Sequence, residues 1–216
     1  MRKKIFLKIS LCSLIIFILS ASNLFSLICA NWTDIAFNTE NEKVLISPDI
    51  VTGASLFLDS HASMLLFSNR IELSEKDGID FTQLNSIIDS VIEKMKNFND
   101  IYTCLYEKTE DISYNESIIS KLNQFDYENF SLERSLNTVV FERVKKYLQA
   151  GDMRGLYYRI SNDSIKLIEL LNKIKCELEE KRLPSLPDIW RTNQSFSEMY
   201  LFGQYASEVC REITGS

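Results

Sequence analysis

Histidine, glycine and proline are scarce in this chain, and each shortage removes a class of protein. His61 is the sole histidine among 216 residues. Sites built from two or more imidazoles therefore cannot be assembled within one chain, and no Glu-x-x-His pair of the di-iron bundles is present. Six glycines and three prolines are too few turn formers for a many-stranded sandwich or barrel, whose hairpins need positive φ. No Cys-x-x-Cys occurs, which removes zinc ribbons, thioredoxin-like redox centres and covalent c-type haem. Also missing are a Gly-x-Ser-x-Gly elbow, a glycine-rich phosphate loop and a calcium loop. No cofactor or metal is expected. Helices are the default fold.

Acidic residues are absent from the first 33 positions, and that stretch is the clearest signal in the chain. Arg2, Lys3, Lys4 and Lys8 precede an uncharged run from Ile9 through Ala30. A basic head followed by an apolar body and small residues is the pattern of an export signal. Ser20-Ala21-Ser22 and Ile28-Cys29-Ala30 offer two cleavage sites, and residues 1–30 are assigned to the signal. The alternative is a retained anchor, because the run reaches the roughly 20 residues that span a bilayer. In that case the N-terminal segment is the one expected membrane contact. With every early basic residue ahead of the apolar run, either reading places the remainder outside the cytoplasm, periplasmic or secreted.

Four of the 24 basic residues and none of the 30 acidic ones lie in those 30 positions, so the remainder carries 20 against 30, near −10. So acidic a surface repels phosphate backbones, and nucleic acid is not an expected partner.

Residues 31–46 read as an extended lead-in and 47–216 as one helical domain. Ser47-Pro48-Asp49 has the chemistry of a helix start. A helix is expected from there to about Ile71, apolar around most of its circumference and hence the most buried element. Glu72 to Asp80, with Gly78, reads as a loop. From Phe81 to Ile112, Leu84, Ile88, Val91, Met95, Phe98, Tyr102 and Leu105 alternate steps of four and three, which aligns them in one stripe. Glu116 to Gln124 reads as a short helix before an irregular stretch. A further helix is expected from a Ser131 cap through Leu136, Val140, Val144 and Tyr147 to Gly151. Asp152 caps the next, which has a soft point at Ser161 to Ser164 and ends by Leu183-Pro184. The last opens at Pro187-Asp188, and its stripe narrows to Gly203 and Ala206, a pattern for close helix approach. The predicted architecture is an all-α, mainly antiparallel bundle of about five helices.

Beyond the signal lie Cys104, Cys176 and Cys210. Strict alternation of direction puts Cys104 and Cys176 at one end of the bundle and Cys210 at the other. Any disulfide is then expected between Cys104 and Cys176, with Cys210 buried and free.

Asp59-Ser60-His61 contains the three residue types of a hydrolytic triad, but adjacent helical positions diverge by about 100°. His61 as a general base aided by a distant carboxylate is the one catalytic alternative. Acid-rich stretches at Glu107 to Asp111 and Glu179-Glu180 read as solvated faces. Asn31, Asn115, Asn129, Asn162 and Asn193 each start a glycosylation tripeptide, which matters only in a glycosylating host. Trp190, Arg191, Tyr200 and Tyr205, joined by Tyr157 and Tyr158, are a candidate groove for a partner protein or small ligand, because such side chains bury large area while keeping a polar tip. The functional expectation is an exported, non-enzymatic envelope protein that binds such a partner. The alternatives are a hydrolase-type enzyme centred on His61 and a membrane-anchored sensor or adaptor.

Overall fold

The computed structural model describes residues 40–108, 116–134 and 136–214. The expected signal, residues 1–30, and most of the expected lead-in fall outside them. Seven helices and no strands occur among the described residues: α1 Glu40–Asp77, α2 Phe81–Lys108, α3 Glu116–Gln124, α4 Tyr127–Glu133, α5 Thr138–Gln149, α6 Met153–Glu179 and α7 Leu186–Thr214. None is long and apolar enough to cross a membrane.

The all-α expectation holds, while one expected helix is two and another starts earlier than expected. The stretch read as one helix from Ser131 to Gly151 is two: Ser131 lies inside α4, and Asn137 caps α5 by accepting the Val140 N–H on its Oδ1 at 3.2 Å. Asp126 caps α4 in the same way, accepting from Asn129 N–H at 3.1 Å. Short polar side chains that satisfy the free amides of a first turn start helices wherever they fall. Upstream, α1 begins at Glu40 rather than at Pro48. Proline lacks the N–H that would bond the carbonyl of Val44, but the backbone stays helical through it.

Helix α2 is the central element. All seven residues of its predicted stripe are buried, from Leu84 to Leu105. It is sandwiched between α1 and α6, the two most extensive interfaces of the molecule. Helix α1 buries one face, Ala54, Phe57, His61, Met64, Phe67 and Ile71, and leaves Leu66 45% exposed. The sequence expectation that α1 is the most buried element is thus corrected: its partners cover one side. Gly53 brings α1 close to α2, since a Cβ there would lie 3.3 Å from the Tyr102 ring. The hairpin between them is tight, with Gly78 at φ 87° and Asp80 accepting the Gln83 N–H.

Direction follows from which residues meet. Lys94 on α2 pairs with Asp59 on α1, and Arg70 with Gln83, so these helices are antiparallel. Tyr106 meets Arg154, Thr103 meets Ser161 and Lys175 pairs with Asp89. Hence α2 and α6 are antiparallel too, which corrects the expectation that they run the same way. The cause is length: α3, α4 and α5 have 9, 7 and 12 residues. They do not carry the chain across the bundle as a full helix would, and the segment after α2 returns to the end it left. Cys104 and Cys176 consequently sit roughly 20 Å apart at 1.5 Å per residue, and both are free thiols. The expected Cys104 to Cys176 disulfide is excluded by that separation. Cys210 has its side chain outside the described ones.

Asp152 caps α6 as read from the sequence, accepting the Gly155 N–H at 2.7 Å. The expected soft point at Ser161 to Ser164 is regular helix. Its hydroxyls bond across to α2: both Ser161 and Ser164 donate to Asn99 Oδ1, at 2.9 and 2.8 Å, and Ser161 shares a 3.0 Å bond with Thr103. Helices α5 and α6 end alike, in a backbone bond spanning six residues, from Asp152 N–H to the Tyr147 carbonyl and from Arg182 N–H to that of Glu177. The left-handed residue is Gly151 in one and Lys181 in the other. Ser185 caps α7, its Oγ accepting the Asp188 N–H, and Lys173 donates to Asp188 at 2.7 Å. Lys173 and Ser185 hold the Asp188 carboxyl below its usual range.

Candidate functional site

A pocket of about 250 Å³ opens where α1, α2, α5, α6 and α7 converge. Its apolar wall is mostly aromatic: Phe57 from α1, Phe98 and Tyr102 from α2, and Phe202 with Met199 from α7. These rings belong to a continuous cluster, with Phe98 4.6 Å from Tyr102 and Phe57 5.5 Å from Phe98, centroid to centroid. Ile160 and Val140 complete it. The space exists because α5 is short and because Gly203, one turn beyond Met199, presents no side chain to fill it. Gly203 therefore borders the pocket, and of the two small residues read as marks of close approach, Ala206 is the fully buried one.

The mouth is charged on both lips. On one, Arg143 Nη1 of α5 donates to Glu198 Oε2 of α7 at 3.1 Å. On the other, Asp163 serves two cations, accepting from Arg159 Nε at 2.6 Å and from Lys166 Nζ at 3.4 Å. Arg159 and Asp163 are half-buried, with side chains 32% and 25% exposed, so their charges are less screened than those of a free surface pair. Because Arg159 engages Asp163 through Nε, its two terminal amino groups are left for another acceptor. Three cations against two carboxylates give the mouth a positive excess in a chain of net charge −6.

The six residues expected to form a groove are not brought together. Tyr157 is 1% exposed and packs on Tyr102. Tyr205 is 5% exposed, touches Phe141 edge-on and accepts the Asn137 N–H at 3.0 Å. Both are core residues, and the phenol of Tyr205 fixes the start of α5. Tyr158 is exposed beside Tyr106, while Trp190 and Arg191 are exposed near the start of α7. Tyr200 is half-buried, and burial, with the Glu208 charge adding to it, pushes its phenol up. None of the six lines the pocket. The residues that do line it escape a reading of the sequence because Arg159, Asp163 and Lys166, at i, i+4 and i+7 of one helix, look like an ordinary solvated face. The signal available in the sequence is the glycine within an aromatic stretch, Phe202-Gly203.

Asp59, Ser60 and His61 point apart. Asp59 pairs with Lys94 at 3.7 Å, and the Ser60 hydroxyl donates to the Leu56 carbonyl at 2.7 Å. The His61 ring lies parallel to Phe196 at 5.3 Å. Burial lowers the His61 pKa to about 4, so the imidazole is neutral at pH 7. The pocket is lined by neither His61 nor Asp59. Among the described residues no group of three or more His, Cys, Asp or Glu side chains could hold a metal ion. Glu179 and Glu180 face Lys175 and Arg182, as a solvated surface does. Asn193 is half-buried and donates to the Ser68 hydroxyl, whereas Asn129 is exposed.

Comparison with protein-family models, with curated proteins and with solved structures gave no match.

Proposed function

We propose that this chain is an exported, non-enzymatic helical bundle that holds a small ligand in the pocket between α1, α2, α5, α6 and α7. The observation that carries this reading is a 250 Å³ recess with an aromatic wall and a charged mouth. Such a combination of apolar lining with a few convergent polar groups is the usual make-up of a ligand site. His61, the one imidazole, lies outside the pocket and stacks on Phe196, and both pocket carboxylates are held in ion pairs, which favours binding over bond breaking. The basic head and apolar run of residues 1–30 favour export.

Nile red, a neutral dye whose emission shifts to the blue in apolar surroundings, tests the pocket. Saturable binding at one site, abolished in Ser195→Phe with an unchanged melting temperature, is the expected result. Absence of saturable binding by the native protein overturns it. N-terminal sequencing of the protein from its own cell tests the export reading: a chain recovered from the cytosol and starting at Met1 overturns it.

A partner protein is the second reading. It is favoured by Leu186 and Trp190, one turn apart on α7 and 75% and 64% exposed, since exposed aromatic side chains are common anchors of interfaces.

A further inference from the structure

The two lips of the pocket are not electrically alike. Arg143 and Glu198 neutralise one another, whereas Asp163 is shared by Arg159 and Lys166, which leaves one positive charge uncompensated at that lip. The terminal amino groups of Arg159 are the natural seat of a carboxylate, since a guanidinium presents its donors in a planar fork that matches two oxygens. Behind this lip the wall is apolar, formed by Phe98, Tyr102 and Ile160. A ligand that satisfies both parts has an anionic head and a hydrocarbon body.

We propose that the pocket takes a monoanionic amphiphile, a carboxylate on an apolar body, with its head on the terminal amino groups of Arg159, at the lip where Lys166 supplies the excess positive charge, and its body against the aromatic wall. This rests on the reading of the pocket as a ligand site and adds the chemical class of what it holds. Size follows from volume. A methylene occupies about the space of a water in the liquid, roughly 30 Å³, so a recess of about 250 Å³ that is open at its mouth has room for at least an eight-carbon body. The net negative charge of the chain opposes anions at its surface, which makes this lip a local exception.

Displacement of Nile red by three probes of equal chain length separates the possibilities: octanoate, 1-octanol and octylammonium. Octanoate is expected to bind at least tenfold more tightly than octanol, to lose that advantage in Lys166→Gln, and to weaken as sodium chloride is raised. Lys166 is exposed, so this variant keeps the core intact. Octanol binding as well as octanoate, or octylammonium binding better than either, overturns the anionic class while leaving the pocket reading in place. So does failure of all three to displace a bound dye. Failure of the dye itself to bind overturns the pocket reading. An Arg143→Gln variant is expected to change octanoate affinity less than Lys166→Gln does, and the reverse order overturns the placement of the head.

Discussion

Helix α2 meets its two large neighbours through different chemistry. Against α1 it presents apolar side chains, with Phe98 on Phe57 and Ile101 and Tyr102 over Gly53. Against α6 it presents Asn99 and Thr103, bonded to Ser161 and Ser164, and Tyr106, bonded to Arg154. The apolar face supplies adhesion, which is non-directional and tolerates sliding. The polar face supplies register, because a displacement of one turn strands buried hydroxyls and an amide. One helix thus carries both functions, and it contributes Phe98 and Tyr102, not the polar residues, to the pocket.

The contrast can be broken from either side. Phe57→Ala on the apolar face is expected to cost about 3 to 5 kcal/mol by loss of transfer energy and creation of a cavity, read as a lowered urea midpoint; a loss below about 1 kcal/mol contradicts the packing described. The same side contains His61, whose pKa of about 4 against 6.5 in the unfolded chain means that unfolding takes up a proton between those values. Stability from this group is complete above pH 6.5 and declines as pH falls toward 4, by about 3 kcal/mol in all. His61→Phe, which keeps a ring against Phe196, is expected to flatten urea titrations between pH 4 and 6.5, and an unchanged slope excludes the assignment.

On the polar face, Asn99→Ala takes the side-chain acceptor from Ser161, while Ser164 keeps the Ser161 carbonyl at 2.7 Å, and is expected to cost about 1 to 3 kcal/mol. Removing all three polar groups at once, by Asn99→Leu, Ser161→Ala and Ser164→Ala in one chain, is expected to recover most of that loss. The rescued protein should show broader amide exchange along α6, because adhesion returns without register. Thr103→Val is the mildest change, about 0.5 to 1.5 kcal/mol, since Ser161 still has Asn99. A larger effect for Thr103→Val than for Asn99→Ala would reverse the roles assigned within the network.

How far these features can be read from the sequence depends on their range. The α2 stripe, the Asp152 cap and the Gly151 stop are legible because each is decided within one or two turns. So is the short helix Glu116–Gln124, which has the same bounds in the structure. The break between α4 and α5 is not, since Asn137 is one polar residue among several equally able to cap. The direction of α6 is hidden because alternation assumes that every helix crosses the bundle. The candidate groove fails for a related reason: Tyr157 and Tyr205 stand out by residue type, and their neighbours in space, Tyr102 and Phe141, draw them into the core. The pocket collects side chains from five helices spread from Phe57 to Gly203, a coincidence of tertiary packing that no local pattern announces.

The distance along the chain between the two sides of α2 also orders events in time. Helices α1 and α2 are joined by a three-residue turn, so their hairpin can close as soon as both have been synthesised. The bonds between α2 and α6 join residues 58 to 65 apart, and closing that loop carries a larger entropic barrier. Substitutions at Phe57 should accordingly slow refolding, while those at Asn99 should chiefly hasten unfolding. Until Ser164 arrives, Asn99 and Thr103 keep water on the unfinished side of the nascent hairpin. The same hydroxyls and amide that later fix alignment would then act as a guard against premature association of half-made chains.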